Sequence, residues 1–295
     1  MSRAFPPPTD LAGRVCVITG ATRGIGRATA EQLGRAGATL VLVCRRRADG
    51  EEVAAAIARG AAGPPPAVVQ ADLSSQSAVR AAAQEILATH ERIHVLVNNA
   101  GTIPRSRQVT EDGLESQLAV NHLAPFLLTN LLLDRLRSSA PSRVVTVSST
   151  THHGATIDFA DLQSERDYDP EDVYAGTKLM NLLFTYELAR RLRDTRVTAN
   201  ALHPGAVATR LLADYMRVPL VGGALARTFG VSPEQGADTV VYLASASEVE
   251  TVTGKYFTNR RETRSSPASY DESAARRLWE VSEKLTGLAN ASSPG

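Results

Sequence analysis

The chain has 295 residues, which is enough for one large α/β domain with a substantial core. Its 32 basic and 31 acidic residues give a formal net charge of +1, and so balanced a charge predicts neither a nucleic acid nor a membrane surface as a partner. The N-terminus has no apolar signal-peptide core, and polar residues interrupt the most apolar later run, residues 126–136. We therefore expect a cytoplasmic protein.

The first predicted strand leads into a glycine-rich turn. Residues 1–12 are rich in proline and are expected to form a loosely held leader. Residues 14–19 are an apolar run typical of a strand buried in a parallel sheet, and a helical pattern follows the turn until Gly37. This order predicts a pyrophosphate site, because backbone N–H groups and the positive helix end meet the anion there. The turn residues expected to bind a cofactor are Gly20, Thr22, Arg23, Gly24, Ile25 and Gly26.

The residues after the second predicted strand, 39–44, indicate which dinucleotide is bound. The glycine spacing, Gly-x-x-x-Gly-x-Gly, differs from the commoner Gly-x-Gly-x-x-Gly and on its own could mark only a tight turn. Sites that prefer NAD usually place an acidic residue after this strand, whereas arginine accommodates the 2′-phosphate of NADP. Here Arg45 and Arg46 follow the strand, no acidic residue precedes Asp49, and Arg23 is available from the turn. The pattern predicts NADP, with a solvated basic loop as the alternative.

Two more strand ends carry residues expected to lie beside the cofactor. The third strand is followed by Asp72 and Leu73, where a carboxylate can accept a hydrogen bond from an adenine amino group. Ser74 is expected to cap the next helix. The fourth strand, 95–98, ends in small residues that let a cofactor pass close by, although an Asn-Asn pair can be turn chemistry alone. The residues expected to line the cofactor there are Asn99, Ala100 and Gly101.

A buried asparagine and a pair of serines come next. Asn121 lies among apolar residues of a predicted long helix, 111–136. An asparagine in such a place is unfavourable unless it is bonded, so it either satisfies packing or bends the helix and holds a water. The fifth strand ends in Ser148 and Ser149, and the polar residues 150–173 are expected to form an insertion beside a substrate cleft.

Tyr174 and Lys178 begin a long run with helical apolar spacing. Residues four apart lie on one face of a helix, so the phenol and the ammonium are expected to point into the same space. A phenol titrates near pH ~10 and is a poor acid at neutrality, but a neighbouring cation moves its pKa towards the working range. The pair indicates a tyrosine acid, although Tyr-x-x-x-Lys alone is common on ordinary helix surfaces.

The remaining elements complete an alternating pattern of strands and helices. A sixth strand ends at residue 202, residues 206–230 have the character of a lid, and a seventh strand, 253–257, precedes a terminal helix, 272–285. This alternation predicts one doubly wound Rossmann domain in residues 13–290, of class α/β. Its sheet is expected to have seven parallel strands, with helices on both faces.

The histidines and cysteines predict no metal site. His152 and His153 are adjacent, but no third ligand has suitable spacing, so we expect them to form loop structure or line the substrate cleft. His203, before Pro-Gly, is expected to be a strand-end residue rather than a base. Cys16 and Cys44 fall in predicted buried strands and indicate neither a disulfide nor a metal framework.

Several motifs point to one family when they are taken together. They are Thr19-Gly20-x-x-x-Gly24-Ile25-Gly26, Asp72-Leu73, Asn98-Asn99-Ala100-Gly101, Asn121, Ser149, Tyr174-x-x-x-Lys178 and Pro204-Gly205. The combination closely resembles the short-chain dehydrogenase/reductase family over roughly residues 12–260. Features such as His152-His153 and Gly254-Lys255-Tyr256-Phe257 look most like its retinol dehydrogenase-like and WW-domain oxidoreductase-like branch. We expect no N-terminal membrane anchor of the kind that microsomal members carry.

The resemblance implies a catalytic tetrad of Asn121, Ser149, Tyr174 and Lys178. Ser149 is preferred to Ser148 because side chains alternate across a strand. In this family hydride passes between the nicotinamide and a carbonyl carbon while the tyrosine delivers a proton, the serine positions the oxygen, the lysine holds the nicotinamide ribose and the asparagine orders a water. The residues expected near the nicotinamide are Pro204, Gly205, Val207 and Thr209, together with Tyr174 and Lys178.

We therefore predict an NADPH-dependent reductase of a medium to large apolar ketone or aldehyde. A non-catalytic NADP-binding regulator on the same fold is one alternative, which the intact tetrad disfavours. A sugar-nucleotide epimerase or dehydratase is another, which the chain length and the lack of a separate C-terminal substrate domain disfavour. The helical runs 120–136 and 178–192 could pair across a two-fold axis into a homodimer or homotetramer, unless the polar insertion blocks them.

Overall fold

The computed structural model describes residues 10–60, 62–207 and 231–288. Most of the predicted leader and of the predicted lid, including Thr209, therefore lies outside the described residues. Within the described ranges, no helix is long and apolar enough to span a bilayer.

The described chain forms one mixed sheet in the order β3-β2-β1-β4-β5-β6-β7-β8. Its strands are β1 Val15–Thr19, β2 Thr39–Cys44, β3 Ala67–Gln70, β4 Val95–Asn98, β5 Ser142–Val147, β6 Val197–His203, β7 Tyr256–Thr258 and β8 Arg261–Glu262. The first seven pair in parallel, which confirms the doubly wound fold. The eighth pairs antiparallel with β7 and was not predicted, because two exposed residues leave no pattern in a sequence.

Helices cover both faces of this sheet. They are α1 Gly24–Arg35, α2 Arg47–Ala58, α3 Gln76–Thr89, α4 Ala124–Ser138, α5 Pro170–Arg191, α6 Pro233–Ser245 and α7 Glu272–Leu285. Along β1, Val17 joins the core under α3, α4 and α5, whereas Cys16 and Ile18 join the core under α1, α2 and α6. Because successive strand residues face opposite sides, each central strand contributes to two cores and must be apolar throughout.

Two predicted helix starts were wrong. Ser75, not Ser74, caps α3 by accepting a hydrogen bond from Ala78 N, because the Ser74 hydroxyl is already bound to Asp72. The predicted helix 111–136 instead becomes helical only at Ser116 and passes at once into a π-helical segment, Leu118–Leu123, which continues directly into α4. A π-turn is invisible to apolar periodicity because it inserts a residue without ending the helix.

The C-terminal helix α7 packs against α5. The Trp279 ring lies 4.9 Å from the Phe126 ring and 5.9 Å from the Phe184 ring, measured between centroids. Ala275 and Leu278 join a third apolar cluster with residues of α5 and of the π-helix. The chain's own helix α7 therefore covers part of the apolar faces that were expected to pair across a two-fold axis, and apolar residues of the 150–173 segment, such as Ile157 and Phe159, pack on the same cluster.

Candidate active site

The carboxyl ends of the central strands meet at one edge of the sheet. Thr19 ends β1, Asn98 ends β4, Val147 ends β5 and His203 ends β6. The strand order reverses between β1 and β4, where connections run off to opposite sides. In open parallel sheets a crevice forms at such a switch point, and ligands bind there.

The glycine turn after β1 brings the start of α1 against the sheet edge. Gly20 has φ +66° and Gly24 has φ +53°, a backbone region in which glycine carries no steric cost. A Cβ on Gly26 would lie 2.3 Å from the carbonyl oxygen of Gly20, so only glycine allows the helix to approach the turn this closely. No side chain caps α1 at Arg23, and its first turn carries no acidic residue. The N–H groups at this helix end are therefore suited to bind an anion.

A network around Thr19 fixes the turn to the end of β4. The Thr19 hydroxyl accepts hydrogen bonds from the backbone N of Asn99 at 3.0 Å and of Ala100 at 3.1 Å. The Asn99 amide donates to the carbonyl oxygens of Thr19 at 2.9 Å and Gly20 at 3.3 Å. The Asn99 side chain thus shapes the turn, a role that the sequence pattern did not predict for it.

The predicted arginines, and Arg47 beside them, differ in how far their charges are already paired. Arg46 forms an ion pair with Asp49 at 2.7 Å, and Arg47 donates to the carbonyl oxygen of Val68 at 3.1 Å. Arg23 and Arg45 are both exposed, and neither makes an ion pair within the described residues. Arg23 and Arg45 are therefore the two cations most available to a phosphate beside the end of β2.

The next strand end presents a half-buried carboxylate. Asp72 and Leu73 follow β3 in a tight turn, and the Asp72 Oδ1 atom accepts from both the backbone N and the hydroxyl of Ser74, at 3.0 and 2.7 Å. These bonds orient the carboxylate, and its second oxygen accepts no hydrogen bond from the part of the chain that is described. That oxygen can accept a bond from a ligand.

Tyr174 and Lys178 lie one turn apart near the start of α5. They are 8% and 3% exposed, so both side chains are held inside the protein. The Lys178 Nζ atom lies 5.3 Å from the centroid of the Tyr174 ring and donates a hydrogen bond to the carbonyl oxygen of Val147 at 3.1 Å. Burial lowers the pKa of Lys178 to about 8, because the charged ammonium has lost most of its hydration.

Asn121 lies in the π-helix and is completely buried. Its side-chain amide makes two hydrogen bonds with the backbone of Thr102. The amide oxygen accepts from the Thr102 N at 2.8 Å, and the amide nitrogen donates to the Thr102 carbonyl oxygen at 3.0 Å. It also donates to the Thr177 hydroxyl at 3.2 Å, and that hydroxyl donates to the carbonyl oxygen of Tyr174 at 2.8 Å. Asn121 therefore ties the loop after β4 to the helix turn that carries Tyr174 and Lys178.

The two serines after β5 have different environments. Ser148 is 2% exposed, and its hydroxyl donates to the carbonyl oxygen of Lys178 at 2.9 Å. Ser149 is half-buried, and its oxygen accepts from the backbone N of Thr151 at 3.3 Å. The Ser149 hydroxyl proton has no acceptor among the described residues and remains free for a ligand, in contrast to that of Ser148.

The segment after β6 packs tightly against α6. Gly205 has φ +89°, and Val207 forms an isolated bridge with Val231. A Cβ on Gly236 would lie 2.4 Å from a methyl group of Val207, so α6 packs tightly against this segment. Pro204, Gly205 and Val207 thus follow the end of β6 at the same edge as the other site residues.

The histidines divide into buried and exposed positions. His152 is fully buried, whereas the neighbouring His153 is exposed, and a place for His153 in the substrate cleft stays a prediction. Burial lowers the pKa of His203 to about 4, so it stays neutral at physiological pH. Across the described ranges, no group of three or more histidine, cysteine, aspartate or glutamate side chains could hold a metal ion.

The sequence patterns predicted no role for three threonines that organise the site, although the first of them belongs to the glycine-turn motif. They are Thr19, Thr102 and Thr177, which hold the glycine turn and the Asn121 network. For Thr177 the available signal was its place three residues after Tyr174, where a helix brings side chains together. The partners of Thr19 and Thr102 lie far along the chain and leave no local signal.

Comparison with known proteins identifies similar chains. A family model described as short chain dehydrogenase matches residues 14–217. Human retinol dehydrogenase 14 is 46% identical over 298 residues, which cover 95% of this chain and 88% of that protein.

Two solved structures have the same architecture. An uncharacterised protein from Mycobacterium paratuberculosis has a TM-score of 0.78 and 34% identity, covering 95% of this chain and 96% of that one. A protein described as an NAD(P)-dependent gluconate 5-dehydrogenase from Beutenbergia cavernae, with bound NADP, has a TM-score of 0.68 and 31% identity, covering 85% of this chain and 97% of that one.

Proposed function

The chain belongs to the short-chain dehydrogenase/reductase family of oxidoreductases, and from that premise we propose that it reduces a ketone or aldehyde with NADPH. Family membership supports carbonyl–alcohol interconversion with a nicotinamide cofactor in general. The proposal adds three points: the cofactor is NADP(H), the reaction runs in the reductive direction, and the substrate is medium to large and apolar.

The residues at the sheet edge fit a dinucleotide. The uncapped N-terminus of α1 would receive the pyrophosphate, Asp72 the adenine and the Lys178 ammonium the nicotinamide ribose. Arg23 and Arg45 support NADP, because unpaired guanidinium groups can make strong charge-assisted bonds to a 2′-phosphate dianion. When bound, the nicotinamide supplies or accepts the hydride, and the protein provides orientation and proton transfer.

In the proposed mechanism Tyr174 is the general acid. Its phenol donates a hydrogen bond to the carbonyl oxygen and transfers its proton as negative charge develops there. The Lys178 ammonium lies 5.3 Å from the ring centroid and favours the negative charge left on the phenol oxygen. The free hydroxyl proton of Ser149 donates to the same carbonyl oxygen and holds it in place.

Asn121 has a supporting part in this mechanism. Both of its amide protons are bonded within the protein, to Thr102 and Thr177, but its oxygen keeps one lone pair. That oxygen and the Lys178 Nζ atom lie 3.5 and 3.8 Å from the position a Cβ would take on Gly101. A water in this space would link the Lys178 ammonium to solvent, so that the proton given up by Tyr174 could be replaced through the lysine after each turnover.

The observation that carries the proposal is the buried Tyr174–Lys178 pair beside the glycine turn. Burying an ammonium costs free energy, and a protein that only sensed NADP would have no need for it next to a phenol. The pair therefore favours catalysis over the regulator alternative.

The proposal is tested by NADPH consumption over a panel of carbonyl compounds, with NADH in parallel. The panel should span aliphatic, aromatic and polyene aldehydes and ketones, and it should include all-trans-retinal because a relative is named a retinol dehydrogenase. We expect turnover with NADPH on the larger apolar compounds. No turnover with any of them, by an enzyme that binds NADPH, would contradict the proposal.

The nucleotide preference has its own test. Arg45→Ala and Arg23→Ala should each weaken NADPH binding by about 10-fold, as expected for loss of a charge-assisted phosphate contact, and leave NADH binding unchanged. Arg47→Ala is the matched control, because it removes the same charge two positions after Arg45, where the guanidinium is already bound to the carbonyl oxygen of Val68. Equal use of NADH and NADPH by the unaltered enzyme would refute the choice of NADP.

A further inference from the structure

A fully buried histidine, His152, binds the backbone of Ser149. Its Nδ1 atom lies within hydrogen-bonding distance of the Ser149 carbonyl oxygen, and its Nε2 atom lies 3.1 Å from the backbone N of Ser266. A backbone N–H can only donate, so Nε2 must be unprotonated and must accept. The proton of the neutral imidazole is therefore on Nδ1, which donates to Ser149.

The ring has little freedom to move from this arrangement. The Tyr256 ring contacts the His152 ring edge to face, with centroids 5.0 Å apart. The His153 ring also contacts it, with centroids 4.2 Å apart. Burial lowers the pKa of His152, so the ring is neutral at physiological pH. A second proton on Nε2 would point at the N–H of Ser266, which opposes protonation further.

The segment that fixes this tautomer is itself anchored to α5. The Ser265 hydroxyl lies 2.7 Å from the Tyr186 hydroxyl and 2.6 Å from the Ser269 hydroxyl. Ser269 in turn donates to the carbonyl oxygen of Ser266 at 2.6 Å. Ser266 therefore holds a constant position relative to the helix that carries Tyr174.

This segment lies beyond residues 14–217, the part of the chain that matches the family model. The bond from His152 to Ser266 spans 114 positions of sequence and connects the end of β5 to the C-terminal segment. The segment at Ser266, which lies outside the matched range, is thus linked to the Ser149 carbonyl by the His152 imidazole.

We propose that His152 is a positioning residue whose Nδ1–H tautomer, set by Ser266, holds the Ser149 carbonyl and thereby aims the Ser149 hydroxyl at the substrate oxygen. This inference rests on the proposed carbonyl reduction. Ser149 precedes a 3₁₀ turn, Thr150–Gly154, and its carbonyl oxygen accepts a long bond from the backbone N of His152 at 3.4 Å. Among the described residues the imidazole is the one side chain bonded to this carbonyl, and its shorter bond is the contact that orients the peptide. A hydroxyl displaced by about 1 Å can cost on the order of 100-fold in rate.

Two substitutions of His152 test its two hydrogen bonds one at a time. In His152→Asn an amide nitrogen takes the place of Nδ1 and keeps the donor to Ser149, but the acceptor for Ser266 is lost. In His152→Gln an amide oxygen takes the place of Nε2 and keeps that acceptor, but the donor to Ser149 is lost. We expect kcat within about 3-fold of wild type for the first and about 10- to 100-fold lower for the second, with the KM for NADPH unchanged in both.

His94→Gln is the matched control. His94 is also buried, and its Nδ1 atom accepts from the backbone N of Val15 at 3.0 Å at the opposite edge of the sheet. The substitution loses one backbone contact of a buried histidine, as His152→Gln does. It should lower thermal stability by a similar amount while leaving kcat unchanged.

The tautomer is measured directly by ¹⁵N-detected histidine NMR of the full chain, with the His152 signals assigned from their loss in His152→Gln. We expect a protonated Nδ1 and an unprotonated Nε2. The reverse tautomer, or equal kcat for His152→Asn and His152→Gln, would overturn the inference. A wild-type enzyme that reduces no carbonyl would instead contradict the proposed function, and the NMR result would still be informative about His152.

Discussion

At the scale of single residues, the buried charge of Lys178 sets the pH range of the proposed reaction. Burial lowers the pKa of Lys178 to about 8, so the ammonium is charged below that pH and is lost as the pH rises through it. Since the charge favours the phenolate product of proton transfer, kcat for carbonyl reduction should fall above pH about 8. The measurement is kcat at saturating NADPH from neutral to alkaline pH. A rate that stays constant well above this pH would contradict the role of the lysine.

Thr177 gives a second residue-scale prediction. Its hydroxyl links Asn121 to the backbone of Tyr174, so Thr177→Val should lower kcat by about 10-fold and reduce the free energy of unfolding by roughly 1–3 kcal/mol. Thr185→Val is the control, because Thr185 is equally buried on α5 but its hydroxyl, within the described chain, bonds only to the Asn181 carbonyl oxygen one helical turn away. Both changes should cost stability, measured by urea unfolding. A kcat loss of equal size in the two variants would show that Thr177 has no special effect on the site.

The single residues also show how far sequence patterns reach. The spacing of Tyr174 and Lys178 predicts their proximity, because four residues bring side chains to one helix face. The hydrogen bonds of Asn121 could not be predicted in this way, because they join residues that are distant in sequence. Its partner Thr102 lies 19 positions away and Thr177 lies 56 positions away, and only the folded backbone brings them together. Of the two possibilities for Asn121, bonding within the protein is observed, and the bound water stays a prediction.

At the scale of elements, the glycine turn and α1 act as one unit. Gly26→Ala would place a Cβ 2.3 Å from the Gly20 carbonyl oxygen, and the turn could relieve the overlap only by moving away from α1. Overpacking of this kind costs about 1–3 kcal/mol, so we expect a rise of roughly 10- to 100-fold in the Kd for NADPH. Titration of NADPH fluorescence measures it. Gly60→Ala is the control, since nothing lies within 4 Å of a Cβ there, and unchanged NADPH binding in both variants would contradict the proposed cradle.

Helices and strands could be predicted from the sequence where a local pattern of residues is enough to determine them. Apolar runs between glycine turns predict the parallel strands, and the predicted terminal helix, 272–285, has the observed bounds of α7. The π-helix Leu118–Leu123 followed no such rule, because its extra residue is held by long-range bonds at Asn121. The first turn before it is set by Glu115, a buried carboxylate that accepts from the backbone N of Leu118 at 2.7 Å.

At the scale of the whole molecule, α7 closes the apolar surface of α4 and α5. The Trp279 side chain is 4% exposed, contacts two phenylalanine rings and lies 4.1 Å from the Arg191 guanidinium. Trp279→Ala should therefore lower the free energy of unfolding by about 3–5 kcal/mol. Val109→Ala, at a side chain that is 54% exposed, should change it by less than about 0.5 kcal/mol. Similar unfolding midpoints for the two variants would show that α7 is not integral to the fold.

The position of α7 also bears on assembly. A dimer that used the part of α4 and α5 under Trp279 would have to displace these contacts, and the expected homodimer or homotetramer stays a prediction. The contact itself depends on a helix near residue 280 that reaches back across about 150 positions to Phe126, which periodicity alone cannot reveal. Light scattering of the purified protein measures the oligomeric state.

The most direct test of the central claim compares Tyr174→Phe with the wild type in NADPH consumption on the best carbonyl substrate of the panel. Loss of a general acid should lower kcat by about 10²- to 10⁴-fold, and the Kd for NADPH should change little because the ring remains in place. If the phenylalanine variant reduces the carbonyl as fast as the wild type, Tyr174 is not the proton donor and the proposed mechanism is wrong.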